Sequence, residues 1–349
     1  MKALVYHGRN DLRYEDFADP GPPGEGEVLI RVRASGLCHT DYNEIRNGPL
    51  YVSSSPHPRT GRCIPLVPGH EFSGDVLEAG PNVSGIRAGD RVAVNAVDAC
   101  RRCFFCRRAL YALCPSAAYI GFGRDGGYAE AVVVPAECCY VLPPQVSYRA
   151  GSLVEPMSVA LHAVNRASPE IGSRAAVIGA GTLGLCTMQC LFSTGAREVH
   201  VLETAAAKRR LAADCGATSV WDPAHDDPAA GMRRMGGGIG VDVVFECAGS
   251  AAALEMAFRI ARPGGTICIV AVYPGAFEFN WNGVLAAEQR VVTSLAYGDE
   301  YPTVIAMLTS GRLKAEPLIT EVLSLSAARD RLLRFEELGR EGIKAQIEL

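Results

Sequence analysis

After Pro143 and Pro144 the chain changes period: apolar runs near 174–178, 198–202, 218–221, 241–245, 265–270 and 290–294 alternate with stretches of helical spacing. Parallel neighbours need a crossover longer than a turn, so strands separated by helices predict a doubly wound α/β domain built on a parallel sheet. Before the prolines the pattern is different. Short β-rich runs such as 28–33 and 128–134, punctuated by Gly and Pro, predict a compact β-barrel with long loops and few helices. At 349 residues two domains are expected. A helix over 301–310 and the closing run 343–349 follow the α/β region, and the closing run is expected to return to the first domain. Gly236, Gly237 and Gly238 read as a loop.

The first apolar run of the sheet ends in Gly179, Gly181 and Gly184, and a helix is expected over 183–193. Glycines at these spacings permit a tight turn, close approach of backbone to a pyrophosphate, and close packing of helix on strand; the helix N-terminus offers unpaired N–H groups to the anion. The next run ends in Glu203. A carboxylate there accepts from both ribose hydroxyls of an adenosine and repels a 2′-phosphate, which favours NAD over NADP. Lys208 and Arg209 stand close enough in sequence to keep NADP open.

Two groups of residues have the chemistry of metal ligands. Cys100, Cys103, Cys106 and Cys114 have the compact spacing of a tetrahedral thiolate cage around zinc, and a closed cage leaves no position for substrate. The second group is dispersed. Cys38 follows the first β-rich run, His70 and Glu71 follow a Pro-rich loop, and Glu155 precedes a helix expected to begin at Pro156. Cys38, His70 and one carboxylate would leave a fourth coordination position open, the geometry of a catalytic zinc. The long polar loop 48–67 between these ligands carries His57, Arg59 and the serines 53–55; it either lines the pocket or covers the subunit surface.

The formal charge of −4 comes without blocks of like charge, so nucleic acid is not an expected partner. No apolar run reaches about 18 residues and the first ten residues lack a signal stretch, so a membrane is not expected either. Thirteen cysteines without such a signal suit a reducing compartment, and the reading is a cytoplasmic protein. Cys63, Cys138, Cys139, Cys186, Cys190, Cys215, Cys247 and Cys268 read mostly as core residues.

Together the cage, the run Gly36-Leu37-Cys38-His39-Thr40-Asp41, Gly69-His70-Glu71, the glycine fingerprint and Glu246-Cys247-Ala248-Gly249 resemble the zinc-dependent medium-chain dehydrogenase/reductase (alcohol dehydrogenase) family over essentially the whole chain. Loops at 55–61, 153–163, 262–266 and 294–297 resemble its 2,3-butanediol and sorbitol dehydrogenase branch.

The resemblance implies a chaperonin-10-like barrel over 1–157 and 296–349 joined to a Rossmann domain over 158–295. It implies a catalytic zinc on Cys38, His70 and Glu155 with Glu71 as alternate ligand, a structural zinc on the cage, and Thr40 as the hydroxyl that takes the alcohol proton. It carries NAD contacts onto Gly179, Gly181, Thr182, Leu183, Gly184, Glu203, Cys247, Ala248, Val270 and Leu295, and sets Lys344 near the pyrophosphate. Asn43 stands where relatives often carry a relay histidine, and Asn cannot titrate. The expected substrate is a vicinal diol or α-hydroxyketone of the 2,3-butanediol and acetoin type, with a polyol or an L-threonine-type substrate as alternatives. A non-catalytic NAD-binding zinc protein is the alternative of a different class. A homodimer or homotetramer is implied.

Overall fold

The computed structural model describes residues 1–335 and 342–349. The chain forms two compact units, Met1–Glu155 with Gly298–Leu349, and Pro156–Tyr297.

The second unit is a six-stranded parallel sheet in the spatial order Ser219–Trp221, Glu198–Leu202, Arg174–Ile178, Val241–Glu246, Ala261–Ile269, Arg290–Thr293. In sequence order this is 3-2-1-4-5-6, the nucleotide-binding arrangement, with its switch point between Arg174–Ile178 and Val241–Glu246. Ala175, Ala176, Val177, Val199, Val201 and Val244 are fully buried, as strands covered on both faces require. All six expected strands form. The fifth starts earlier than the apolar run suggests, because Ala261 pairs with Val241 before the register shifts to Val243 opposite Thr266.

The first unit is built around the strand Glu27–Gly36. One edge pairs antiparallel with Glu71–Ala79; the other pairs with Ala131–Pro135 along its first half and with Lys344–Glu348 along its second. Val28, Ile30 and Val32 are buried while Arg31 is exposed, the period-two pattern of a half-covered strand, and each buried aliphatic side chain contributes about 1.5–3 kcal/mol. The closing run thus returns to this unit, with Gln346 opposite Gly36.

Two sequence expectations shift. Tyr128, placed in a strand by its apolar neighbourhood, precedes the strand Ala131–Pro135, and its side chain is buried against Asp41. The helix expected from Pro156 begins at Val154 and runs Val154–Ala167. Pro156 sits in its first turn, where a missing N–H leaves no intrahelical bond unmade.

Candidate functional site

Cys38 ends the turn after Glu27–Gly36 and is the N-cap of the helix His39–Asn47. His70 and Glu71 open the neighbouring strand, whose Glu71 stands opposite Gly36. Pairing of these two strands brings Cys38, His70 and Glu71 together, with one ligand atom of each within 4.8 Å of the others. Glycine is required at position 36: a Cβ there would lie 2.2 Å from Glu71 Oε2. Thr40, in the first turn of the helix, has Oγ1 3.6 Å from Cys38 Sγ.

Asp41, which is not among the expected site residues, organises this cluster. Its carboxylate lies 3.2 Å from His70 Nδ1, accepts from Tyr128 OH at 2.6 Å, and accepts from the Cys38 N–H at 3.3 Å. With Nδ1 engaged, Nε2 is left as the ring nitrogen for a metal. The available signal was the helix cap, an acid three residues after the N-cap position. Burial works to lower the His70 pKa, but the charges of Asp41 and Cys38 outweigh it and hold it well above the ordinary value. Burial and the Asp41 charge together push Tyr128 up, so it stays a donor. The cluster therefore attracts positive charge, and its thiolate, imidazole and carboxylate donors suit zinc.

Glu155 is buried in the first turn of Val154–Ala167 but lies outside the mutual 4.8 Å set of Cys38, His70 and Glu71. Its helix, not the strand that carries Glu71, sets its position. Lys344, expected near the pyrophosphate, is placed beside Glu71. Its ammonium donates to Glu71 at 2.6 and 2.9 Å and to the Leu37 carbonyl at 3.0 Å, because the closing strand, with Gln346 opposite Gly36, carries it past the end of Glu27–Gly36.

Cys100, Cys103, Cys106 and Cys114 form the second cluster, with ligand atoms within 4.8 Å of one another. The Sγ atoms of Cys100 and Cys106 are 3.9 Å apart, close to the edge of about 3.8 Å that a tetrahedron of zinc–sulfur bonds of ~2.3 Å would have. Backbone N–H groups of Arg102 and Cys103 pull the Cys100 thiol down to about 6, toward the thiolate a metal needs. The residues present fit a four-thiolate zinc.

In the parallel sheet, the expected cofactor residues lie at the carboxyl ends of strands. Gly179 follows Arg174–Ile178, Glu203 follows Glu198–Leu202, Cys247 and Ala248 follow Val241–Glu246, Val270 follows Ala261–Ile269, and Leu295 lies two residues beyond Arg290–Thr293. Open α/β sheets bind ligands at these ends. Gly179 has φ +96°, and a Cβ at Gly184 would lie 1.8 Å from the Gly179 carbonyl oxygen, so both glycines are required by the fold itself. A Cβ at Gly181 would meet no protein atom within 4 Å. Glycine there leaves room beside the amides of Thr182 and Leu183 that open the helix Thr182–Ser193, a cradle that fits a pyrophosphate. Glu203 closes the loop, accepting from Ala180 N at 2.9 Å and Ala205 N at 2.8 Å.

The profile of the alcohol dehydrogenase GroES-like domain matches residues 24–144 and that of the zinc-binding dehydrogenase matches residues 182–310. The chain belongs to the zinc-dependent alcohol dehydrogenase family. This dehydrogenase is 33% identical to the (R,R)-butanediol dehydrogenase of Bacillus subtilis (strain 168) over 93% of each chain. The crystal structure of 2R,3R-butanediol dehydrogenase from Bacillus subtilis superposes with TM-score 0.92 at 30% identity, covering 100% of this chain and 99% of that one. The L-threonine 3-dehydrogenase of Pyrococcus abyssi (strain GE5 / Orsay) is 34% identical over 86% of this chain and 85% of its own. A putative zinc-binding dehydrogenase from Sinorhizobium meliloti 1021, bound to NADP, superposes with TM-score 0.91 at 31% identity over 100% and 99% of the two chains. The chain is thus an oxidoreductase with both halves of the family's architecture, a GroES-like and a Rossmann-like domain.

Proposed function

We propose that this dehydrogenase is NAD-linked and interconverts a secondary alcohol, a vicinal diol or α-hydroxyketone of the 2,3-butanediol and acetoin type, with its ketone. The observation that carries the reading is the meeting of Cys38, His70 and Glu71 beside the Thr40 hydroxyl. Zinc supplies Lewis acidity to the substrate oxygen when bound and NAD supplies the hydride acceptor. Cys38 and His70 hold the metal, and Asp41 fixes the imidazole so that Nε2 faces it. Glu71, within reach of Cys38 and His70 while accepting from Lys344 through both oxygens, and the buried Glu155 share the third position, one as ligand and the other by exchange. Thr40 Oγ1 accepts the alcohol proton. Asn43, in the same helix, cannot carry it further, so the outer step falls to water or another side chain.

The Glu203 carboxylate at the glycine loop supports NAD. Arg209, a nearby cation that would neutralise a 2′-phosphate, is committed to Asp222 at 2.9 Å and to the carbonyls of Glu203 and Thr204. A neutral substrate is supported by the loop 48–67, where Arg59 pairs with Asp98 and Arg62 with Asp125, so the charge of each guanidinium is already balanced by a carboxylate. That weighs against a threonine-type substrate.

Initial rates of NAD⁺ and NADP⁺ reduction on the 2,3-butanediol stereoisomers, sorbitol, xylitol, L-threonine and simple secondary alcohols test the proposal. The expected result is the highest kcat/KM with one butanediol isomer and NAD⁺, with Cys38→Ser abolishing turnover while NADH still binds. A lead for threonine or a polyol would replace the substrate assignment. NADH binding without turnover of any alcohol by the zinc-replete protein would overturn the proposal.

A further inference from the structure

Asp98 is a fully buried carboxylate outside both metal clusters. It lies in the short strand Val97–Asp98, two residues before Cys100, and that strand pairs with Ala118–Tyr119, which begins four residues after Cys114. The two-stranded ribbon is therefore the stem from which the cysteine cage projects.

Two guanidinium groups converge on this stem. Arg59 pairs with Asp98 Oδ1 through Nη2 and donates to the Asp98 carbonyl at 2.6 Å through Nη1. Arg124 donates to Oδ2 at 3.2 Å through Nε and to Glu27 at 2.8 Å through Nη1. The segments that carry these arginines are tied to each other: Thr60 Oγ1 donates to the Gly123 carbonyl at 2.6 Å, Arg62 pairs with Asp125, and Asp125 accepts from Val67 N at 3.1 Å. Phe122, two residues before Arg124, has its ring centroid 5.1 Å from that of His70 and 5.5 Å from that of Tyr51.

A carboxylate without access to water is tolerated only where fixed donors replace its hydration. The planar fork of Arg59 meets both the side chain and the carbonyl of Asp98 in one orientation, and a point charge could not do the same. Displacement of the stem must therefore move the loop 53–64 and the segment 120–125 with it, and Phe122 carries the movement to His70. We propose that Asp98, gripped by Arg59 and Arg124, is a positioning residue that couples the cysteine cage to the aromatic wall of Tyr51 and Phe122 beside the catalytic cluster, so that the cage helps set substrate affinity as well as local stability. The inference rests on the metal-binding reading of the two clusters.

The test uses the full-length, zinc-loaded enzyme and three variants, Arg59→Gln, Arg59→Lys and Cys103→Ser. Amide hydrogen exchange is followed over 53–64 and 120–125, with zinc content and steady-state kinetics alongside. For Arg59→Gln, exchange over 53–64 is expected to rise by about tenfold with both zinc ions retained. KM is expected to rise about tenfold with kcat changed by less than about twofold, the mark of lost binding and not of lost chemistry. Arg59→Lys, which keeps the charge at Asp98, is expected to recover about half of the effect on a logarithmic scale, a rescue that a merely structural arginine would not show. Cys103→Ser, a change in the cage and not in that loop, is expected to raise exchange over 53–64.

Unchanged exchange over 53–64 in Cys103→Ser would overturn the coupling, and an unchanged KM in folded Arg59→Gln would overturn the positioning role. If Arg59→Gln does not fold, Arg59→Lys and Cys103→Ser decide the question. The exchange measurements need no turnover, so failure of the coupling is distinguishable from failure of the proposed substrate class.

Discussion

Lys344 Nζ lies 2.6 Å from Glu71 Oε2, with both side chains buried. The residues are far apart in sequence and meet because the closing strand Lys344–Glu348 and the strand Glu71–Ala79 pair with opposite edges of Glu27–Gly36. The C-terminus thereby supplies the counter-charge for an acid adjacent to His70.

Removing one partner of such a pair leaves a buried charge uncompensated. Lys344→Met is expected to lower stability by about 3–5 kcal/mol, measured by urea unfolding. The double variant Lys344→Met/Glu71→Leu should recover most of that loss, since replacing both partners with apolar groups of similar volume is close to neutral. Additive losses would show that the two residues act independently.

Asp41 holds His70 through Nδ1 at 3.2 Å. Asp41→Asn keeps the volume but removes the charge that orients the ring, and a weakening of metal affinity at this site by about 10–100-fold is expected. Competition with a chelator, followed by zinc content, measures it. The cage should retain its zinc under the same conditions, because its donors are separate residues.

Glu203 accepts from two amides of the glycine loop and is the residue proposed to receive the adenosine ribose. Glu203→Ala removes the acceptor of the Ala180 and Ala205 N–H groups and the charge that opposes a 2′-phosphate. The ratio of kcat/KM for NAD⁺ over NADP⁺ is expected to fall by at least about tenfold, equivalent to ~1.4 kcal/mol. An unchanged ratio would remove Glu203 from the ribose site.

Asp242 gives a pH test independent of either metal cluster. Burial works to raise its pKa, but Arg262 at 2.7 Å and the Arg174 N–H at 2.8 Å outweigh it and hold the carboxyl below its ordinary value. A depressed folded pKa contributes stability above the unfolded value of 3.8, and that stability is lost as pH falls through the lower folded value. Asp242→Asn should therefore be less stable than the parent near neutral pH, and the gap should narrow below about pH 4. A gap that is constant with pH, in paired urea titrations, would mean that the Asp242 charge contributes nothing.

Much of the architecture was legible from periodicity. The apolar runs at 174–178 and 198–202 became strands at those positions, and the helix expected over 183–193 formed one residue longer, at Thr182–Ser193. Such elements are recorded in local patterns of burial and turn chemistry. The four cage cysteines were legible for the same reason, since their spacing is short enough for local chain geometry to bring the sulfurs together.

The sequence by itself determined the order of strands and helices, the glycine loop, the cage, and the choice of Cys38, His70, Glu71 and Glu155 as residues with ligand chemistry; which carboxylate meets Cys38 and His70 was left to the fold. Tertiary structure decided what each long-range partner does. Lys344 meets Glu71 across a strand, Asp41 meets both His70 and Tyr128, and Arg59 meets Asp98 across 39 positions of chain. A single charged residue has no period, so nothing in its neighbourhood announces its partner; strand pairing and burial choose it, because a charge removed from water must find its counter-charge wherever the fold brings one within reach.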